Sequence, residues 1–382
     1  MFKKELTYSY NDVAIVPASV STIKHRSDCN VYINNKLPIF TAPMSTVINE
    51  ENFEIFNNEH LNVIMPRNIS LGIRRSYLHK GHWVAMSITE FEDFVITTNT
   101  KNKIPYHICI DVANGNMDSI FSIAKTAKEK FGMDGIILMS GNIANPKTYL
   151  EYCKAGIDYV RCSVGSGCGC ITATQTAIHY GIASLINEVY KLKELVDGEL
   201  GLFSEYKTLT KIIADGGIRG YADVTRALAL GADYVMIGSV LAQTIESAAK
   251  TYYKHPINPN EIVPLDVLNH NVVCREKEGV YSITTQEDNE DDFKIIPQPY
   301  KVFYGMASKQ GQQDLFGKKK ATAEGITKRL PVTTNLNKWV KNMEDYLKTA
   351  MSYCNIKDVK DFNCGNVDTI LISNNTNNSV NK

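Results

Sequence analysis

Short apolar runs alternate along the chain with longer amphipathic stretches, a pattern that predicts alternating strands and helices. The runs that read as strands are Leu37–Thr41, Leu61–Met65, Trp83–Ser87, His107–Val112, Gly135–Met139, Tyr159–Cys162, Lys211–Ala214 and Tyr234–Ile237. Most are rich in Val and Ile and show little period-two alternation, as strands covered on both faces should. Helical spacing follows several of them. Asp118–Lys130 places apolar residues at Ile120, Phe121, Ile123 and Ala124, and Tyr221–Leu230 predicts another helix ended by Gly231. Eight such strands with helices between them match a (β/α)8 TIM barrel in number. A doubly wound open sheet satisfies the same count, because counting strands does not establish closure.

Residues 1–365 read as one barrel domain and 366–382 as a tail. Three segments depart from a simple barrel. The stretch 251–300 is an insertion after the eighth strand, with a strand-like piece at Gly279–Ile283 and an acidic run at Glu287–Asp292 that fits a solvated loop. Lys309–Lys320, polar and ending in three lysines, predicts a mobile flap within 309–330. The Asn-rich run Asn374–Ser379 predicts disorder.

Composition narrows the function. The 382 residues carry 41 Lys+Arg against 41 Asp+Glu, and this balance argues against a nucleic-acid partner. No apolar run reaches the roughly 18 to 20 residues that span a bilayer, and the first residues lack a signal peptide's apolar core. Nine scattered cysteines without paired zinc-type spacing fit a reduced, cytoplasmic chain.

The candidate chemistry lies where the strands end. Pro43-Met44-Ser45-Thr46, Arg67-Asn68, Asp111–Gly115, Ser140-Gly141-Asn142, Gly165-Ser166-Gly167, Asp215-Gly216-Gly217 and Gly238-Ser239 are all polar or glycine-rich. In a barrel these ends converge on one face. Turns favour such residues in any protein, which accounts for one cluster more easily than for seven. Gly216-Gly217 and Gly238-Ser239, late in the chain order, fit a phosphate cradle built from backbone N–H groups. Asp215 would repel a phosphate but suits the paired hydroxyls of a ribose, so a nucleoside monophosphate is the natural ligand. A helix cap is its competing role.

Asp158–Thr172 holds three cysteines and three glycines. A cysteine is more often a small buried apolar residue. Cys168 and Cys170, in a Gly-rich loop at a strand end, fit a nucleophile better. Cys-x-Cys lacks zinc-type partners, and a disulfide across it would close a strained ring.

With these motifs assembled, the chain resembles the IMP dehydrogenase/GMP reductase family, from Leu6 to Pro331 and omitting 251–300. The resemblance opens at Leu6-Thr7-Tyr8, continues through Asp12–Pro17 and Ala42–Val47, and includes Asp215–Arg219, Ala229–Asp233, Gly238-Ser239, Glu246-Ser247 and Glu324-Gly325. The family's cysteine loop reads G-x-G-x-G-S-x-C-x-T. Aligned on its glycines, it implies Cys170 as catalytic cysteine and Thr172 as catalytic threonine, with Cys168 in place of the phosphate-binding serine and Ser163 in place of the first glycine. Glu324 matches the flap's acidic residue. The resemblance further implies a substrate site of Met44, Cys168, Asp215, Gly216, Gly217, Gly238, Ser239, Tyr304, Gly305 and Met306. It implies a nicotinamide-cofactor site at Asp111, Val112, Ala113, Asn114 and Asn142. A monovalent cation (K+ or Na+) on the carbonyls of Gly165, Gly167 and Cys170, and a homotetramer, are implied as well.

The family runs two reactions from one covalent step at purine C2. The dehydrogenase passes hydride to NAD+ and hydrolyses the adduct; the reductase releases ammonia from GMP and takes hydride from NADPH, giving IMP. Asp111-Val112-Ala113-Asn114-Gly115 and Phe303-Tyr304-Gly305-Met306 resemble the reductase. The segment from Met306 to Glu324 lacks the Arg-Tyr pair of a water-activating flap, and no regulatory module interrupts the barrel between strands two and three. The expectation is therefore an NADPH-dependent GMP reductase, with IMP dehydrogenase as the alternative. Four departures stand out: Arg67 where the family has Lys, Cys168 for Ser, Ala321 for a flap Arg, and the long 251–300 stretch. The altered phosphate loop and the insertion motivate a function of another class, a catalytically silent nucleotide-binding barrel.

Overall fold

The computed structural model describes residues 6–98, 104–199, 205–254, 262–265, 272–277, 280–286, 293–297, 299–317 and 322–372. Its centre is a parallel sheet of eight strands: β1 (Ile39–Thr41), β2 (Ile64–Met65), β3 (Trp83–Met86), β4 (Tyr106–Asp111), β5 (Ile136–Ile143), β6 (Tyr159–Cys162), β7 (Lys211–Asp215) and β8 (Tyr234–Ile237). Each strand pairs with its successor from β2 to β8, and β8 returns to β1. The last seam is closed by a bridge between Phe40 and Asn62, with Thr41 N–H on Asn62 O and Asn62 N–H on Ile39 O, both 2.9 Å. Thr41 adds its hydroxyl as acceptor for Ile64 N–H at 3.1 Å. Closure decides for the TIM barrel over the open sheet.

Helices α1 (Phe53–Asn58) and α2 (Leu71–His79) come first in the chain, and α5 (Thr148–Ala155), α6 (Thr172–Thr176) and α7 (Ile182–Glu199) lie in its middle. Local sequence accounts for the helices between the strands. Ser87, expected to end the third strand, instead caps α3 (Ile88–Thr97): its hydroxyl accepts Glu90 N–H, and Glu90 accepts Ser87 N–H in return. Helix α4 (Asp118–Phe131) buries Ile120, Ala124 and Ala127 against the barrel and ends at Gly132, whose φ of 82° suits glycine. Helix α8 (Tyr221–Ala229) follows the same logic after β7, one residue shorter than expected.

Because alternate strand residues point to opposite faces, the barrel interior fills in layers. Phe40, Trp83, Tyr159 and Tyr234 form the lower layer, with ring centroids 5.2–5.9 Å apart. Cys109, Met139, Ile213 and Met236 lie buried in the same interior cluster. Two residues further along their strands, Cys109 gives way to Asp111, Tyr159 to Arg161 and Ile213 to Asp215. The top layer is therefore charged, and the interior beneath it is packed rather than open.

Beyond β8 the chain forms β9 (Thr251–Lys254), β10 (Ile262–Leu265), β11 (Val272–Lys277), β12 (Val280–Gln286), β13 (Phe293–Pro297), β14 (Tyr300–Tyr304) and β15 (Thr327–Pro331). Strands β11, β12 and β13 make a separate antiparallel sheet, so the insertion is more than the one strand expected at Gly279–Ile283. Strands β10, β9, β14 and β15 make another. The segment expected as a flap contains α9 (Lys309–Phe316), capped by Ser308, and then β15. The acidic run at 287–292, Ala321 and residues 373–382 of the tail lie outside the described residues. The start of the tail, 366–372, is ordered, against the expectation of disorder from 366 on: Thr369–Leu371 pairs antiparallel with Val13–Ile15, and Val367 is buried. Among the described residues, no helix is long and apolar enough to cross a membrane.

Candidate active site

A cavity opens at the C-terminal ends of the strands. It is lined by Ala42, Pro43 and Met44 after β1, Asp111 on β4, Arg161 on β6, residues 167–170, residues 215–218, Gly238 and Ser239 after β8, and Phe303, Gly305, Met306, Ala307, Glu324 and Gly325. Of the expected substrate residues, Met44, Cys168, Asp215, Gly216, Gly217, Gly238, Ser239, Gly305 and Met306 come together here. Tyr304 does not. Its hydroxyl donates to Asp314 at 2.7 Å in a neighbouring depression, and burial first, with Asp314 second, pushes its pKa up to about 12. Alternation along β14 puts Phe303, not Tyr304, on the cavity side.

The cysteine loop leaves β6 after Cys162. Gly165 has φ 78°, and a Cβ there would lie 2.4 Å from that of Ala173, so the turn requires glycine. Cys170 N–H closes the turn on Gly167 O at 3.0 Å. The segment around Glu324 then crosses the loop as an antiparallel partner: Ile171 N–H donates to Glu324 O at 2.8 Å, and Ile326 N–H to Gly169 O at 2.9 Å. This clamp brings three side chains into line. The Cys170 thiol lies 3.3 Å from Thr172 Oγ1, whose hydroxyl donates to Glu324 Oε2 at 2.8 Å. Cys170 is half-buried against the cavity, whereas Cys168 is exposed at its rim.

A second network spans the strand ends. The Arg161 guanidinium reaches Asp111 Oδ1 at 2.7 Å and Asp215 Oδ2 at 2.9 Å, and Asn142 Nδ2 donates to the same Asp215 oxygen at 2.7 Å. Burial alone would lower the arginine's pKa, but the neighbouring negative charges, Asp215 foremost, raise it well above its ordinary value. Arg161 stood unremarked in the sequence. The signal for it was a charged residue inside a short apolar strand, two positions after Tyr159. Gly141 makes room for it, since a Cβ there would lie 2.5 Å from that of Arg161. The polar residues Ser140-Gly141-Asn142, read as following the fifth strand, are thus part of it.

Asp215 is not a helix cap. Helix α8 starts after Gly220, and its first-turn acid, Asp223, accepts Arg219 N–H at 2.9 Å. Gly217 N–H donates to Ser166 O at 3.0 Å, joining the glycine turn to the cysteine loop. Among the residues expected to meet a cofactor, Asp111 and Asn142 belong to the arginine network. Asn114 is exposed and holds Asn116 N–H at 3.0 Å; before it, Ala113 is exposed and half-buried Val112 packs against the hydrophobic core. Beside them, Arg67 donates to Asp111 O at 3.1 Å, while its Nε and Asn68 Oδ1 are buried polar atoms without protein partners. Of the carbonyls expected to hold a cation, that of Gly167 accepts Cys170 N–H, and Gly165 and Cys170 flank the same turn. No group of three or more His, Cys, Asp or Glu side chains suited to a metal occurs among the described residues.

A larger hollow, about 1220 Å³, lies on the outer wall between α8 and α10 (Leu336–Tyr353). It touches no barrel-strand end and none of these networks, so size does not decide the site.

Comparison with known proteins agrees with this geometry. Residues 85–258 match the model of the IMP dehydrogenase / GMP reductase domain. Similar proteins include those named GMP reductase from Streptococcus agalactiae serotype Ia, 26% identical over 98% of each chain, and from Streptococcus pneumoniae strain Hungary19A-6, 27% identical over 96% of this chain and 95% of that one. A GMP reductase of Streptococcus suis is 25% identical over 98% of both.

Proposed function

We propose that this chain, which belongs to the IMP dehydrogenase/GMP reductase family, is a GMP reductase that converts GMP to IMP and ammonia with NADPH. The observation that carries the reading is the line Cys170–Thr172–Glu324 at the mouth of the barrel. It offers a nucleophile and a path for its proton in one cavity.

The Cys170 thiol passes its proton toward Glu324 through the Thr172 hydroxyl, and the thiolate bonds to purine C2. The C2–N bond to the exocyclic amine then breaks. The amine leaves as ammonia because the same two side chains return a proton to it; an amide ion would be a far poorer leaving group. NADPH, when bound, supplies the hydride that replaces sulfur at C2, and the C–S electrons return to Cys170 as thiolate. The nucleotide is held meanwhile by its ribose on Asp215. Asn142 and Arg161 take Asp215 Oδ2, so Oδ1 is the oxygen offered to the hydroxyls. The phosphate lies toward Gly216, Gly217, Gly238 and Ser239.

The cofactor edge fits the region of Asp111, Val112, Ala113, Asn114 and Asn142, where Arg67 Nε and Asn68 Oδ1 are buried without protein partners. A carboxamide has the donor and acceptor such atoms need. A monovalent cation fits carbonyl oxygens better than side chains here; those of Gly165, Gly167 and Cys170 would hold it and stiffen the cysteine turn. A soluble tetramer located in the cytoplasm accompanies the reading.

The reductase reading is preferred over the dehydrogenase because hydrolysis needs a water-activating base, and the segment from Met306 to Glu324 lacks the Arg-Tyr pair for it. Mixing the protein with GMP and NADPH tests this: absorbance at the reduced-nicotinamide band falls. A rise with IMP and NAD+, and no change with GMP and NADPH, would make it the dehydrogenase. No change in either mixture would favour a silent nucleotide-binding barrel.

A further inference from the structure

The charged side chains lining the cavity are Asp111, Arg161, Asp215 and Glu324: three carboxylates against one guanidinium. That guanidinium is committed between Asp111 and Asp215. A nucleotide's phosphate brings nearly two further negative charges at neutral pH. The glycine turns offer backbone donors, but Gly217 N–H is already given to Ser166 O. Helix dipole adds little after β8, where only a three-residue helical turn, Leu241–Gln243, follows Gly238-Ser239. Cys168 contributes a thiol, a weak donor beside a hydroxyl. The phosphate end of the site is therefore short of positive charge and of one strong hydrogen bond.

Strand β15 brings a cation to this place. Lys328 is directly opposite Phe303 in the β14–β15 ladder, so the two side chains emerge on the same face of the sheet. Phe303 is buried and lines the cavity, and its ring would touch a Cβ placed on Gly169 at 3.3 Å. The Lys328 ammonium lies 3.5 Å from Cys168 Sγ. One ammonium hydrogen points at sulfur; two remain. The next residue, Arg329, cannot share the task, because its guanidinium lies over the Tyr300 ring, 5.1 Å from the centroid.

We propose that Lys328, seated against Cys168 and opposite Phe303, binds the 5′-phosphate of the purine nucleotide and supplies the charge that the cysteine loop lacks. The inference rests on the nucleotide reading given above and adds a residue to it. Lys328 is a binding residue; it takes no part in the bonds that form and break at C2.

Equilibrium binding of GMP and of guanosine, which lacks the phosphate, separates this role from a structural one. In Lys328→Ala and Lys328→Gln, GMP affinity falls about 10- to 100-fold, the loss expected for one charge-assisted hydrogen bond. Guanosine affinity stays as in the wild type, and Lys328→Arg recovers most of the GMP affinity. Equal loss of both ligands, or loss of neither, would overturn the proposal. If the wild type binds GMP more tightly than guanosine through Lys328 but oxidises no NADPH, the reductase reading fails and the phosphate assignment stands.

Discussion

The carboxylate of Glu324 accepts the hydroxyl of Thr172 at 2.8 Å across a sequence separation of 152 residues. The contact exists because the backbone of the same glutamate clamps the cysteine loop through Ile171 N–H. Glu324 thus fixes the loop and, in the proposed reaction, ends the proton path from Cys170. Replacing it with Gln keeps the clamp and removes the base. Glu324→Gln should lower kcat about 100-fold or more while KM for GMP changes only a few-fold, as for loss of a general acid–base. Steady-state kinetics with NADPH check this; an equal rise in KM with kcat intact would assign Glu324 to binding alone.

The two loop thiols should behave oppositely. Cys170→Ala abolishes turnover and still binds nucleotide, whereas Cys168→Ser stays active, because only Cys170 reaches Thr172. Activity assays and nucleotide binding on both variants decide it. Full activity in Cys170→Ala with loss in Cys168→Ser would shift the nucleophile by two positions.

Arg161 neutralises two carboxylates that face each other across the barrel mouth. Arg161→Met takes the ion pair from half-buried Asp215 and leaves Asp111 only its longer one to Arg67, 3.8 Å. Removing one partner from such a network costs about 3–5 kcal/mol. Denaturant unfolding should show a loss of that size, and an unchanged midpoint would mean that the network adds nothing to stability.

Lys301 provides a pH test of the packing behind the site. Its Nζ is buried among protein groups, 2.8 Å from Ile245 O and 2.9 Å from Ser247 O, and burial lowers its pKa to about 7 against the opposing pull of Glu246. An unfolded lysine titrates near 10.4. Between about pH 7 and pH 10 the unfolded chain therefore holds a proton that the folded chain has released. The contribution of Lys301 to stability rises with pH through that window, by up to about 1.4 kcal/mol per unit, and is level below it. Unfolding free energies of the wild type and Lys301→Met at pH 7 and pH 9 check the sign: the difference between them should shift in favour of the wild type as pH rises.

Much of the fold was legible in the chain because barrel strands are covered on both faces and leave unbroken apolar runs. Phe40 and Met236 belong to such runs, and the motif pointed to Cys170 and Thr172, which the structure brings into contact at the cavity. What the sequence hid depends on alternation at strand ends and on register between distant segments. Tyr304 and Phe303 are neighbours in the chain, and only the pairing of β14 with β15 decides which of them faces the cavity. Arg161 lay inside a strand too short to show its period. Ser87 reads as strand by its neighbours and caps a helix because Glu90 stands three residues on.

The sulfur of Cys170 is the atom on which the proposed chemistry depends, and labelling it tests the account most directly. A purine 5′-monophosphate bearing chloride at C2 lets a thiolate displace the halide and remain bonded to the ring. Mass spectrometry of the protein after incubation should show one added nucleotide, with fragment ions placing it on Cys170, and none on the Cys170→Ala variant. An unmodified protein, or a nucleotide on Cys168 instead, would contradict the assignment.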